Sequence, residues 1–192
     1  MSASKAYQSA ALLITVVMLL SSCSFLSRAG LSGERDARIA SETAKQAQEQ
    51  FALGRYKKAL DVYSAAYDKY HTADLRRGYA RLGEQTKAAA DAWFQAGNFG
   101  EAGSAYRNLF ESGITTRDFA QALSFDDDVL IRIIKTCSKS LMEIGLMRYR
   151  EEKLEEAIAI WKKALAFDAD NRSVRNAIDT ATAQLQQLKT LR

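Results

Sequence analysis

The sequence predicts an all-α fold, an antiparallel helix-turn-helix array closed by a C-terminal capping helix. Three observations support this class. No proline occurs in the 192 residues. Strong helix formers dominate the composition, and apolar residues recur at helical spacing along most of the chain. Hydrophobic residues make up 47% and charged residues 26% of the chain, which is typical of a globular protein and not of a disordered one.

Residues 1–22 are predicted to be an export signal, outside the fold. Ala10 to Leu20 is apolar apart from Thr15, and this run is about half the length, roughly 20 residues, that a membrane-spanning helix needs. Leu20-Ser21-Ser22-Cys23 follows and resembles the lipobox of bacterial lipoproteins. The resemblance implies cleavage before Cys23 and acylation of its thiol. An ordinary signal peptide with a chance cysteine is the alternative.

The lipobox also implies a location. Several acyl chains hold a protein stably on a membrane, whereas one chain binds only reversibly. The residue after the cysteine is Ser24 and not aspartate, which resembles the class sorted to the outer membrane. We therefore expect a lipid-anchored protein of the bacterial cell envelope, on the outer membrane facing the periplasm. The covalent lipid on Cys23 is the only added group we expect. Residues 23–35 are predicted to be a lipidated tether, and residues 36–192 the helical domain.

Three segments of the domain repeat one pattern: a small or polar residue, then a bulky residue two positions later, alanine five later and an aromatic residue nine later. Each repeat also has a small residue seven positions before its start and an aromatic residue three before it. The pattern comprises Ala47, Phe51, Gly54, Tyr56, Ala59 and Tyr63; Ala90, Phe94, Gly97, Phe99, Ala102 and Tyr106; and Gly145, Tyr149, Glu152, Leu154, Ala157 and Trp161.

This pattern resembles the tetratricopeptide repeat, in which two antiparallel helices approach closely at small residues and aromatic side chains fill the wedge between neighbouring hairpins. The repeats start 43 and 55 residues apart, against about 34 in the family. Apolar periodicity predicts that the extra residues lengthen the first helices of the second and third units, over 74–96 and 128–149, with an irregular crossing or short helix over 113–124. About three irregular repeats in a compact, nonstandard array are therefore expected.

The last segment, Asn171 to Arg192, carries apolar residues on one stripe and polar residues on the other. It is predicted to be the capping helix that such arrays need for solubility. A coiled-coil helix for a partner is the alternative.

Catalytic and metal sites are not expected. His71 is the only histidine and is predicted to lie in a solvated turn. Cys137 lies on an apolar stripe and is predicted to be a core residue. Asp126, Asp127 and Asp128 are predicted to cap the long third helix, because the glycine and distal glutamate of a calcium loop are missing.

The predicted function is a protein-binding scaffold or adaptor of the cell envelope, and not an enzyme. The net charge of +4 is too diffuse for nucleic acid, and no small-molecule substrate is expected. A structural subunit of a permanent envelope complex, of the secretin, pilus or outer-membrane assembly type, is the alternative function. Family resemblance implies binding of envelope proteins or peptides along the first helices, although these residues could instead line the interior or face water. The candidates are Gln48, Phe51, Glu84, Lys87, Asp91, Gln95, Lys139, Met142, Tyr149 and Arg150.

Overall fold

The computed structural model describes residues 33–116, 118–119 and 121–190, and within them it has seven helices and no strand. The predicted all-α class is confirmed. No helix in these ranges is both long and apolar enough to cross a membrane. The helices are α1 over 33–52, α2 Tyr56–Tyr70, α3 Ala73–Gln95, α4 Phe99–Glu111, α5 Asp127–Arg150, α6 Leu154–Phe167 and α7 Arg172–Thr190.

The chain divides into two units, Met1–Glu42 and Thr43–Arg192. In the first unit the chain is helical from residue 33, so the last three residues of the predicted tether, 33–35, are helical. Glu34 and Arg35 are good helix formers, which explains the helical start. The predicted signal peptide, Cys23 and the tether up to residue 32 lie outside the described residues.

Within the second unit, three turns of the same geometry join α1 to α2, α3 to α4 and α5 to α6. Gly54, Gly97 and Glu152 have positive φ angles of 70°, 77° and 61°. The next residue donates its backbone N–H five residues back in each turn, over 2.9, 2.9 and 3.0 Å. This is the Schellman ending of a helix, and it reverses the chain. The three predicted hairpins are therefore present and in register.

Each hairpin is closed at the predicted small residues. Ala47 and Ala59 of the first hairpin have no exposed surface, and neither do Ala90 and Ala102 of the second. In the third, Ala157 is equally buried, and a Cβ on Gly145 would lie 2.6 Å from Cε2 of Trp161. The alanines are fully enclosed and even a methyl group on Gly145 would meet the Trp161 ring, so the small residues set the distance between the paired helices.

The aromatic side chains of the repeats occupy more than one kind of position. Tyr63 of α2 stacks on Tyr79 of α3, with ring centroids 6.1 Å apart, and so fills the junction between two hairpins as predicted. Trp161 instead packs against Gly145 within its own hairpin, and its indole N–H donates to the carbonyl of Met142 over 3.1 Å. Buried rings therefore stabilise contacts within a hairpin as well as contacts between hairpins.

The unequal repeat length has two sources. The first helices α3 and α5 have 23 and 24 residues, whereas the second helices α2, α4 and α6 have 15, 13 and 14. In addition, the described residues between Ser112 and Asp126 belong to neither α4 nor α5 and form an irregular connection. Both features match the spacing predicted from the sequence.

The irregular connection packs on α2 and α3. The Phe119 ring lies 5.0 Å from Tyr67 and 5.2 Å from Tyr79, measured between centroids. Ile114 is fully buried and contacts α3 at Gly83, where a Cβ would lie 2.5 Å from its Cδ1 atom. The connection therefore contributes side chains to the core of the second hairpin.

The C-terminal helix α7 packs on α6 through one stripe, on which Val174 and Ala181 are fully buried. Asn171 begins it, because its side-chain oxygen accepts the backbone N–H of Val174 over 3.2 Å. Arg175 and Asp179 on the other side are exposed. This polar outer face makes α7 the predicted cap of the array.

Candidate partner-binding surfaces

Four of the ten predicted partner-binding residues are exposed on the first helices of the hairpins. They are Gln48 on α1, Gln95 on α3, and Lys139 and Arg150 on α5. The Lys139 side chain is 80% exposed and reaches Glu143 only at 3.9 Å, which is a weak interaction in water. These four side chains are free to contact a partner.

Three other predicted residues bind neighbouring side chains of the same chain. Lys87 donates to the Asp91 carboxylate over 2.8 Å, and the Tyr106 hydroxyl also donates to Asp91. Burial and the hydrogen bond to Asp91 raise the pKa of Tyr106 above its ordinary value. Glu84 accepts the hydroxyl proton of Ser124 over 2.8 Å and so anchors the irregular connection. Whether these residues also bind a partner stays a prediction.

The last three predicted residues are half-buried. Phe51 packs edge-on against Tyr56, with ring centroids 5.0 Å apart, and Tyr149 donates its hydroxyl proton to Gln184 of α7 over 2.8 Å. Met142 offers its carbonyl to Trp161. These residues hold the turns and the cap in place while keeping part of their surface in solvent.

A cleft of about 430 Å³ lies between the start of α4 and the second half of α5. We call it the α5 cleft. Sequence reasoning found only Arg150 among its residues. A comparison of α5 with α3 in repeat register would have found Ile144 and Met147, because α3 has alanine at both matching positions, Ala89 and Ala92. The cleft is lined by Phe99, Ser140, Glu143, Ile144, Leu146, Met147 and Arg150.

Cys137 and Asp168 are two buried groups of the kinds that take part in catalysis, and both have structural surroundings. Burial raises the pKa of the Cys137 thiol to about 11, which keeps it protonated and unreactive near neutral pH. Burial also acts to raise the pKa of Asp168, but hydrogen bonds from Lys135, Asn171 and Ser138 outweigh it and hold that pKa below its ordinary value. Asp168 thus joins α5 to the start of α7.

Two predicted structural roles are also visible. His71 ends α2 in a left-handed conformation and is exposed, as predicted for a solvated turn. Asp126 caps α5, because its carboxylate accepts the backbone N–H of Val129 over 2.8 Å. Within the described residues, no three His, Cys, Asp or Glu side chains are grouped so that they could hold a metal ion.

The fold and these surfaces define a class, the all-α arrays of helical hairpins. Searches with the sequence find no matching protein-family model and no matching curated protein.

Proposed function

We propose that this chain is a lipid-anchored, non-enzymatic adaptor of the bacterial cell envelope, built on tetratricopeptide-like repeats. The observation that carries the proposal is the exposure of polar side chains on the first helix of each hairpin: Gln48, Gln95 and Lys139. The repeated turns hold these helices at fixed positions, so a partner meets a preorganised surface and loses little entropy on binding. Location on the membrane is proposed from the Leu20-Ser21-Ser22-Cys23 sequence.

The distribution of apolar surface favours an adaptor over a subunit that is wholly buried in a permanent complex. Within the described residues, the large hydrophobic side chains that are exposed are isolated along the sequence, at Leu53, Ile131, Met147 and Leu188. Obligate interfaces are larger and more apolar than this pattern provides. A surface of this kind suits a protein that binds and releases its partner.

Crosslinking in membranes tests the proposal. A photoreactive residue at Gln95, on an exposed first-helix position, would be introduced into the native chain and into the Cys23→Ala variant. We expect the native chain to incorporate labelled palmitate and to crosslink a defined envelope protein in the membrane fraction. We expect Cys23→Ala to lose the label and that membrane-bound product.

The same photoreactive residue at Asp179, on the polar face of α7, is the matched control and is expected to give no such product. Recovery of the same partner in the same membrane from native chain and Cys23→Ala would contradict the anchoring role. Equal products from Gln95 and Asp179 would contradict the binding surface.

A further inference from the structure

Helix α5 has a second stripe of residues that no other described element covers completely. Its core stripe includes Leu130, Cys137, Leu141 and Gly145. The second stripe, five residues at helical spacing, lines the α5 cleft, and its Met147 is 54% exposed. We call it the α5 stripe; it consists of Ser140, Glu143, Ile144, Met147 and Arg150.

The corresponding face of α3, the first helix of the second hairpin, allows a comparison with the α5 stripe. When Ala90 of α3 is aligned with Gly145 of α5, the residues of α3 that match the α5 stripe are small or polar. Ile144 and Met147 therefore stand where α3 has alanine. Ile144 is half-buried and Met147 is exposed, so together they place apolar surface on a helix face where α3 has only methyl groups, and such surface is typical of interaction sites. The matching residues of α3 are Gln85, Ala88, Ala89, Ala92 and Gln95.

The two charged residues of the α5 stripe flank its apolar residues. Glu143 and Arg150 are seven residues apart in the sequence, which is about 10 Å along a helix. Glu143 has only its 3.9 Å contact with Lys139, and Arg150 forms no ion pair with any side chain in the described ranges. The apolar residues Ile144 and Met147 therefore lie between a negative side chain, Glu143, and a positive one, Arg150.

Such a surface complements itself. A half-turn about an axis through Met147 brings Glu143 of one copy opposite Arg150 of the other and pairs Arg150 with Glu143 in return. Isologous interfaces of homodimers have this symmetry, because the same patch serves both subunits. We propose that the α5 stripe binds the α5 stripe of a second copy of this chain, antiparallel, with the two Met147 side chains in contact at the two-fold axis.

Crosslinking at the axis tests this proposal on the full chain in its native membrane. Met147→Cys is expected to form a disulfide-linked dimer under mild oxidation. Ile131→Cys is the matched control, since Ile131 is also exposed on α5, at 41%, but lies outside the cleft. The native chain controls for Cys23 and Cys137. Equal dimer formation by Met147→Cys and Ile131→Cys would overturn the proposal.

Charge exchange separates a specific dimer from chance collision. In the Met147→Cys background, Arg150→Glu and Glu143→Arg each place like charges opposite one another, and each is expected to slow disulfide formation about tenfold. The double variant restores opposite charges and is expected to recover the original rate. Mixing the two single variants, with different tags, is expected to give the mixed dimer preferentially. Failure of the double variant or of the mixture to recover would overturn the antiparallel arrangement, and a photocrosslink from Met147 to another protein would assign the stripe to that partner instead.

Discussion

Gly145 allows the packing of the third hairpin to be tested with one methyl group. A Cβ at this position would lie 2.5 Å from Cδ1 and 2.6 Å from Cε2 of Trp161, and the tryptophan is only 2% exposed, so its ring must move. Gly145→Ala gains about 1 kcal/mol of helix propensity. It loses about 1–3 kcal/mol to overpacking and about 1–3 kcal/mol if the indole N–H leaves the Met142 carbonyl.

The expected net effect of Gly145→Ala is a free energy of unfolding lower by about 1–5 kcal/mol, with a central value of about 3 kcal/mol. Urea denaturation of the full Cys23→Ala chain in mild detergent, followed by circular dichroism, measures it. The slope of the free energy of unfolding against urea concentration should not change, because the same surface is exposed on unfolding. Gly100→Ala is the matched control, because its Cβ would meet only the flexible Lys163 side chain at 3.4 Å; we expect no loss and a gain of up to about 1 kcal/mol.

A double-mutant cycle tests whether Trp161 is the residue that a methyl group on Gly145 would contact. In the Trp161→Phe background the smaller ring leaves room for a methyl group, so Gly145→Ala should lower the free energy of unfolding by less than about 1 kcal/mol. The coupling free energy between positions 145 and 161 is then about 2 kcal/mol. If Gly145→Ala stabilises the chain as Gly100→Ala does, or if the two changes at Gly145 and Trp161 are additive, the close approach of α5 and α6 at this point is refuted.

Three further predictions concern turns and caps. Glu152 has a φ of 61°, which glycine adopts without strain, so Glu152→Gly should raise the free energy of unfolding by about 1 kcal/mol. Gly97 has the same role in its turn, so Gly97→Glu should lower the free energy of unfolding by about 1 kcal/mol. If the urea midpoints of both variants shift in the same direction, the two turns do not share this geometry. Because the pKa of Asp168 is held below its ordinary value of 3.8, its carboxylate stabilises the fold above that pH, and this contribution is lost as the pH falls toward the lowered pKa. Asp168→Asn should therefore reduce the acid dependence of stability, measured by urea titration at stepped pH, and an unchanged dependence would exclude the role of Asp168. Asp126→Ala should lower the unfolding free energy by about 1 kcal/mol through loss of the α5 cap, and thermal melts unchanged by the substitution would contradict that cap.

The hairpins could be predicted because their determinants are local. The distance between Ala90 and Ala102 in the sequence is short, and a positive φ at Gly97 between them reverses the chain, so one window of sequence contains the whole unit. The long first helices could be predicted for the same reason, because apolar residues at helical spacing lie within each helix itself. The helical start at residues 33–35 could not be predicted, because a short polar stretch has no period that distinguishes a helix from irregular chain.

The surfaces were harder to predict because side-chain partners lie far away in the sequence. Glu84 is bonded to Ser124, 40 residues later, and no periodic pattern relates the two. Phe119 packs on Tyr67 across a similar distance. The α5 cleft depends on Phe99 at the start of another helix. From the sequence, Ile144 and Met147 are distinguished only when α5 is aligned with α3, which has alanine at both positions.

The exposed first helices and the α5 stripe both depend on paired helices meeting at small residues. Nuclear magnetic resonance of the indole groups tests this contact most directly, because the chain has only two tryptophans. The account predicts one indole N–H, that of Trp161, with slow hydrogen exchange and nuclear Overhauser contacts to the α protons of Gly145. Rapid exchange of both indole N–H groups, with no contact to Gly145, would contradict it.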